Sequence, residues 1–187
     1  MKTTSKLFFA LTAVAALSVA YPAKANLITN PGFETGNFTG WTGISNADVT
    51  GTALGVAPHS GSFQAAFTDP SSISQSVATT AGQSYTISFF YAVSGSPSPN
   101  LALNVTWGGS VFGYLFHSAS AYTEYSITVP AFASSTTLAF GTTGPGGFSF
   151  LDDVSVTPTT VPDGGTTVSL LGCALVGLAG LRRKLGC

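Results

Sequence analysis

From Phe63 to Val156 the chain is a succession of short apolar-alternating runs cut by glycine and proline, and this spacing excludes most helical folds. Tyr85, Ile87 and Phe89 fall on one face of a strand. Leu101, Leu103, Val105 and Trp107 form a second such set, and Phe148, Phe150, Asp152, Val154 and Val156 a third. The connections carry Ala81-Gly82, Gly95-Ser96-Pro97-Ser98-Pro99, Gly108-Gly109 and Gly144-Pro145-Gly146-Gly147, residues that turn a chain without steric cost. No long segment carries an apolar stripe at helical period. Strands are predicted near 63–67, 73–77, 85–94, 101–107, 111–116, 122–129, 137–141 and 148–156. Short strands so spaced predict an all-β domain, a two-sheet antiparallel sandwich of jelly-roll type.

The two ends of the chain are not part of that domain. Lys2 and Lys6 lead into LFFALTAVAALSVA, and Ala23-Lys24-Ala25 has the small-x-small form of a signal-peptidase site, so residues 1–25 read as a signal peptide. At the other end Val161, Pro162, Asp163, Gly164 and Gly165 precede an apolar run, 168–181, closed by Arg182, Arg183 and Lys184. Proline and glycine keep the first part extended and open to a processing enzyme. The apolar run can enter a bilayer as a transmembrane helix, and the three cations hold its end in the cytoplasm. A retained single-pass anchor is the alternative, although the run is short against the ~20 residues of a full span. The layout is therefore signal peptide 1–25, β-sandwich 26–157, and linker with sorting tail 158–187.

Removing the ends changes the charge. Every Lys and Arg of the chain lies in them. The domain between keeps Glu34, Asp48, Asp69, Glu124, Asp152 and Asp153, a formal charge of −6 that the whole-chain value of −1 conceals. Nucleic acid is excluded as a partner, because nothing here neutralises phosphates. Neutral ligands and cations remain. Both cysteines, Cys173 and Cys187, are in the tail, so no disulfide staples the domain.

Two resemblances follow from these residues. Val161-Pro162-Asp163-Gly164-Gly165, the apolar run and the basic cluster, in that order, resemble the PEP-CTERM class of bacterial sorting signals in its VPDSG variant, with Gly164 where that name has Ser. The resemblance implies export, recognition by an exosortase-type membrane protease, transient membrane attachment, and an association with exopolysaccharide at the cell surface. The second concerns the domain. Asn30-Pro31-Gly32-Phe33-Glu34 opens it, Gly40-Trp41 and His59-Ser60-Gly61 follow, and Leu151-Asp152-Asp153-Val154 lies on the last strand. This order resembles the galactose-binding-like jelly rolls, among them carbohydrate-binding modules. It implies a structural Ca²⁺ held by Glu34 with Asp152 or Asp153.

The residues allow that ion independently, since Ca²⁺ takes carboxylate and carbonyl oxygens. Adjacent strand residues face opposite ways, which makes Asp152, in step with Val154 and Val156, the inward acid. Hydrogen bonds from loop N–H groups are the competing use of these carboxylates. For a neutral polysaccharide, Trp107 is the first candidate for ring stacking, with Asn104 and Tyr114 as polar contacts near it. Trp107 ends its strand just before Gly108-Gly109, where core and rim are both open to it. Catalysis lacks a local signature: Gly-x-Ser-x-Gly is absent, the domain has no Cys or Lys nucleophile, and His59 and His117 are its only histidines. The functional expectation is a non-catalytic exported surface or matrix protein that binds neutral carbohydrate. The alternatives are a purely structural body, glycosylated at sites such as Asn37-Phe38-Thr39 or Asn104-Val105-Thr106, and a small hydrolase.

Overall fold

A computed structural model describes residues 25–94, 102–116, 121–143, 147–159 and 172–175. The signal peptide, the sorting motif, the basic cluster and His117 lie outside the described residues. Among the described residues eight strands form in chain order: β1 Thr42–Thr50, β2 Gln64–Ala78, β3 Ser84–Ser94, β4 Ala102–Trp107, β5 Ser110–Phe116, β6 Thr123–Pro130, β7 Ser135–Thr143 and β8 Phe148–Pro158. Every ladder is antiparallel.

Hydrogen bonds trace one path, β5-β4-β7-β2-β8-β3-β6, with β1 on β2. The path folds into two layers because β2 changes partner along its length. Its first part, Ala65 to Thr68, pairs with β8. Its second part, Ser71 to Ala78, pairs with β7. Asp69-Pro70 lies between the two ladders, at the place where a residue without an N–H breaks no ladder bond. The two strands predicted at 63–67 and 73–77 are thus one strand that turns a corner. β1 spans the same corner, pairing Thr42 with Ser74 at one end and Thr50 with Gln64 at the other.

The core lies between the layers. Phe89 of β3 meets Phe140 of β7 edge-on, centroids 5.0 Å apart, and Tyr85 of β3 meets Trp107 of β4 at 5.8 Å. The segment before β1 plugs one edge of this core: Phe33 packs on Trp41 at 5.5 Å, and Trp41 Nε1 donates to the Asn30 carbonyl. The end of the domain also differs from the expected boundary at 157. β8 continues to Pro158, and the Thr159 N–H donates to the Ser84 carbonyl at 2.8 Å.

The alternation predicted for β8 breaks in the middle. Leu151, Val154 and Val156 share the main core, whereas Phe150 packs with Val56 and Ala92 on the outer side of the layer. Opposite Ser88 and Phe90 the register slips, so that Asp153 is an extra residue in β8, and its φ is +47°. This is a β-bulge with the inserted residue in the left-handed region. It shifts the face of every residue beyond it.

Candidate functional site

Three sequence segments meet at the bulge. Asp152, 0 % exposed, lies on the outer side of β8 opposite Phe90 of β3. Its Oδ2 accepts the N–H groups of His59 at 2.9 Å and Ser60 at 3.2 Å, and its Oδ1 accepts the Asp153 N–H at 2.8 Å. Asp153 does not point away, as simple alternation requires; the bulge turns it toward the same loop. Its Oδ1 accepts the Ser60 hydroxyl and its Oδ2 meets His59 Nδ1, both at 2.7 Å. The His59 ring stacks on Phe90 with centroids 3.6 Å apart. Glu34 completes the cluster: its carboxylate accepts the N–H groups of Ser62 and Phe63 at 3.0 Å.

Two glycines make this convergence possible. A Cβ on Gly32 would lie 3.2 Å from Asp153 Oδ1, 3.5 Å from Asp152 Oδ1 and 3.7 Å from Glu34 Cγ. A Cβ on Gly61, where φ is +60°, would fall 2.4 Å from the Glu34 carboxyl carbon. Burial raises the Asp152 carboxyl from 3.8 to about 6, against the lowering effect of its N–H donors. Burial and the charges of Asp152 and Asp153 likewise raise the Tyr122 hydroxyl. That hydroxyl donates to Gln64 Oε1, and Gln64 Nε2 donates to the carbonyls of Gly51 and Val56. The loop over the outer face is thereby tied down from beneath.

Glu34, Asp152 and Asp153 do gather around one glycine, in a domain without Lys or Arg. Among the described residues, no three His, Cys, Asp or Glu side chains are arranged to hold a metal. Each carboxylate is directed at N–H or hydroxyl donors, so a cation here needs carbonyl oxygens as well. The Ser60 hydroxyl donates to Asp153 and not to His59, which is not the order in which a base activates a hydroxyl nucleophile.

The expected sugar-binding trio does not assemble. Trp107 is 2 % exposed, packs on Tyr85, and donates its Nε1–H to the Pro130 carbonyl at 2.9 Å. It belongs to the core and presents no exposed ring face for a sugar to stack on. Asn104 and Tyr114 are directly opposed on β4 and β5; Asn104 is out of step with Trp107 along β4, and the Tyr114 side chain lies outside the described residues. Asn104 Oδ1 is buried and finds no donor among the described residues.

The sequence reading missed two depressions. One, of about 510 Å³, opens beside β1 between Leu54 and Phe148, with Phe150 as floor and Asn46, Asp48 and Thr68 at its edge. Leu54 is 57 % and Phe148 43 % exposed. The other, also of about 510 Å³, lies over Trp107 between Gly108-Gly109 and Phe132. Phe132, flanked by Ala131 and Ala133 after the end of β6, is 83 % exposed. A lone aromatic among small loop residues was the available signal. Phe148 gave none, because it begins an alternating strand.

The fold is that of carbohydrate-binding modules with a β-sandwich. The chain is similar in structure to TmCBM61 in complex with β-1,4-galactotriose, with TM-score 0.55 and 23% identity over 72% of this chain and 99% of that one. It is similar to the CBM22-1 xylan-binding domain of Xyn10C from Paenibacillus barcinonensis, with TM-score 0.57 and 18% identity over 76% and 99% of the two chains. A family 16 carbohydrate-binding module gives 0.53 and 14% over 71% and 99%. At these identities the likeness is one of fold. Residues 160–185 match the VPDSG-CTERM motif, which marks an exported, surface-sorted protein. A search of curated proteins gives no match.

Proposed function

We propose that this protein is a non-catalytic surface module that holds a neutral polysaccharide outside the cell. The observation that supports the ligand class is the groove at Phe148. A half-exposed aromatic ring and Leu54 offer an apolar wall, amide, hydroxyl and carboxylate groups line the edge, and the domain has no Lys or Arg for an anionic ligand. The neighbours' ligands, a galactotriose and xylan by name, agree with that class. The tail match supports release or attachment by an exosortase-type protease.

The test is a glycan array with the exported protein and its Phe148→Ala variant. Weak binding to a neutral glycan is expected, nearly independent of salt because stacking and hydroxyl hydrogen bonds are not screened. Loss of the Phe148 ring should weaken it about tenfold, equivalent to ~1.4 kcal/mol. A wild-type protein that binds no neutral glycan overturns the reading and leaves the structural role. Asn104, half-buried on β4, supports a second reading, a polar sugar contact on the β4–β5 face. Asn104→Ala, in place of Phe148→Ala, would then lower affinity.

The second part of the proposal is a structural Ca²⁺ at Gly32, with Glu34 and Asp153 as its carboxylates and Asp152 bracing the loop. The ion would supply the positive charge that the acid cluster lacks.

A further inference from the structure

Strand direction gives the sandwich a defined pair of ends. β3 runs from Ser84 at one end to Ser94 at the other, ~33 Å along an extended strand. The chain leaves the domain at the Ser84 end, where Thr159 is held by Ser84. The same end is knitted from loops: Gly82 N–H donates to the Ala131 carbonyl, Thr79 N–H to that of Ser134, and Gly108 N–H to that of Thr137. Phe132 stands on this end, the most exposed of the large apolar side chains among the described residues. The Phe148 groove is at the other end, where Phe148 pairs with Ser94 and Thr68.

Charge divides in the same way. None of the six acids of the domain lies in the loops 79–83, 107–110 or 130–135 that form the Ser84 end. That end presents Thr, Ser and Gly around one phenylalanine. The apolar run of the tail begins at Val168, so only 160–167 separates it from Thr159, a span of at most ~30 Å when fully extended.

We propose that the Ser84 end docks on the bilayer surface while the tail is inserted, with Phe132 entering the headgroup layer. This rests on the reading of the tail as membrane-inserted. An acidic domain is repelled by anionic lipid, and its charge-free end is the one that can approach. One aromatic side chain binds a free protein to lipid only marginally. A tether of this length raises the effective concentration enough to make such a contact persist. Docking so points the Phe148 groove away from the membrane, toward extracellular polysaccharide.

The experiment uses the exported chain, residues 26–187 with the tail intact, reconstituted into phosphatidylcholine vesicles, with Phe132→Trp and Phe148→Trp variants. Trp41 and Trp107 are buried and supply the same background in both. Flotation reports tail insertion, and quenching by brominated phosphatidylcholine reports contact of each probe with lipid. Expected is flotation of both variants, an about twofold loss of the added emission at position 132, and none at 148. Flotation without quenching at 132, or equal quenching at both, overturns the docking and leaves the tail reading intact. A chain that does not float overturns both. Shielding of the 132 probe only when the sorting protease is present overturns lipid docking and assigns this end to a protein partner.

Discussion

Asp152→Ala tests whether the acid on β8 fastens the loop from His59 to Phe63. Three backbone N–H groups, of His59, Ser60 and Asp153, end on its carboxylate at 2.8–3.2 Å, in a place with no exposure to solvent. A hydrogen bond to a charged group contributes ~1.5–3 kcal/mol, and each buried donor left without a partner costs ~1–3 kcal/mol. The charged carboxylate is disfavoured by burial even with these donors in place, which pushes it from 3.8 to about 6; removing it returns ~3 kcal/mol at neutral pH, a figure already net of the hydrogen bonds' preference for the charged form. The three N–H donors left without a partner, at ~1–3 kcal/mol each, outweigh that return. A net loss of ~3 kcal/mol is expected, equivalent to a fall in Tm of about 10 °C for a domain of this size. Thermal unfolding followed by circular dichroism in EDTA measures it without any contribution from a bound cation. A variant as stable as wild type would show that burial of the charge cancels its hydrogen bonds, and the account of Asp152 as the loop's anchor would be wrong.

Other outcomes follow from the same geometry. Added Ca²⁺ should raise Tm, because a ligand bound only by the folded state stabilises it by mass action; Glu34→Ala or Asp153→Ala should remove most of that rise, and a melting curve indifferent to both EDTA and Ca²⁺ excludes the site. Trp107→Ala should cost ~3–5 kcal/mol as a core truncation, while glycan affinity of the fraction that remains folded stays unchanged; reduced affinity would return Trp107 to the binding surface. Intact mass of surface-extracted protein should show loss of residues 1–25 and a cut near Val161–Gly165, whereas a species still ending at Cys187 would indicate a retained anchor.

Strands were legible where one face is buried and the other is not. β3 alternates along Tyr85, Ile87 and Phe89 because those residues enter the core while their neighbours do not. β1, Thr42–Thr50, was missed for the converse reason: six of its nine residues are exposed and none is fully buried, and its place in the sheet comes largely from backbone pairing with β2. The corner in β2 was read as a gap, since Pro70 marks a break in pairing whether the strand ends or merely changes partner. Trp107 was ambiguous because Gly108-Gly109 is equally consistent with a core residue at a strand end and with a rim. The deciding contact, the Pro130 carbonyl, belongs to β6, 23 residues away in the chain.

The acid cluster shows a different kind of limit. Sequence singled out Glu34, ahead of β1, and Asp152 and Asp153, within β8, and the absence of Lys and Arg demanded some other source of positive charge. Within the protein that source is the main chain. His59, Ser60, Ser62 and Phe63 turn their N–H groups onto Asp152 and Glu34, an arrangement in which backbone dipoles do the work of a cation. No side-chain spacing encodes such donors. They depend on Gly61 adopting a φ of +60° beside Glu34 and on an inserted Asp153 that brings both acids of β8 to the same loop. What remains is three carboxylates with no Lys or Arg near them and only the His59 ring against Asp153, and burial pushes the Asp152 carboxyl up despite its N–H donors. A cation bound at Gly32 would be drawn by those carboxylates, which is why metal dependence of stability, and not of any reaction, is the property that decides whether the site is used.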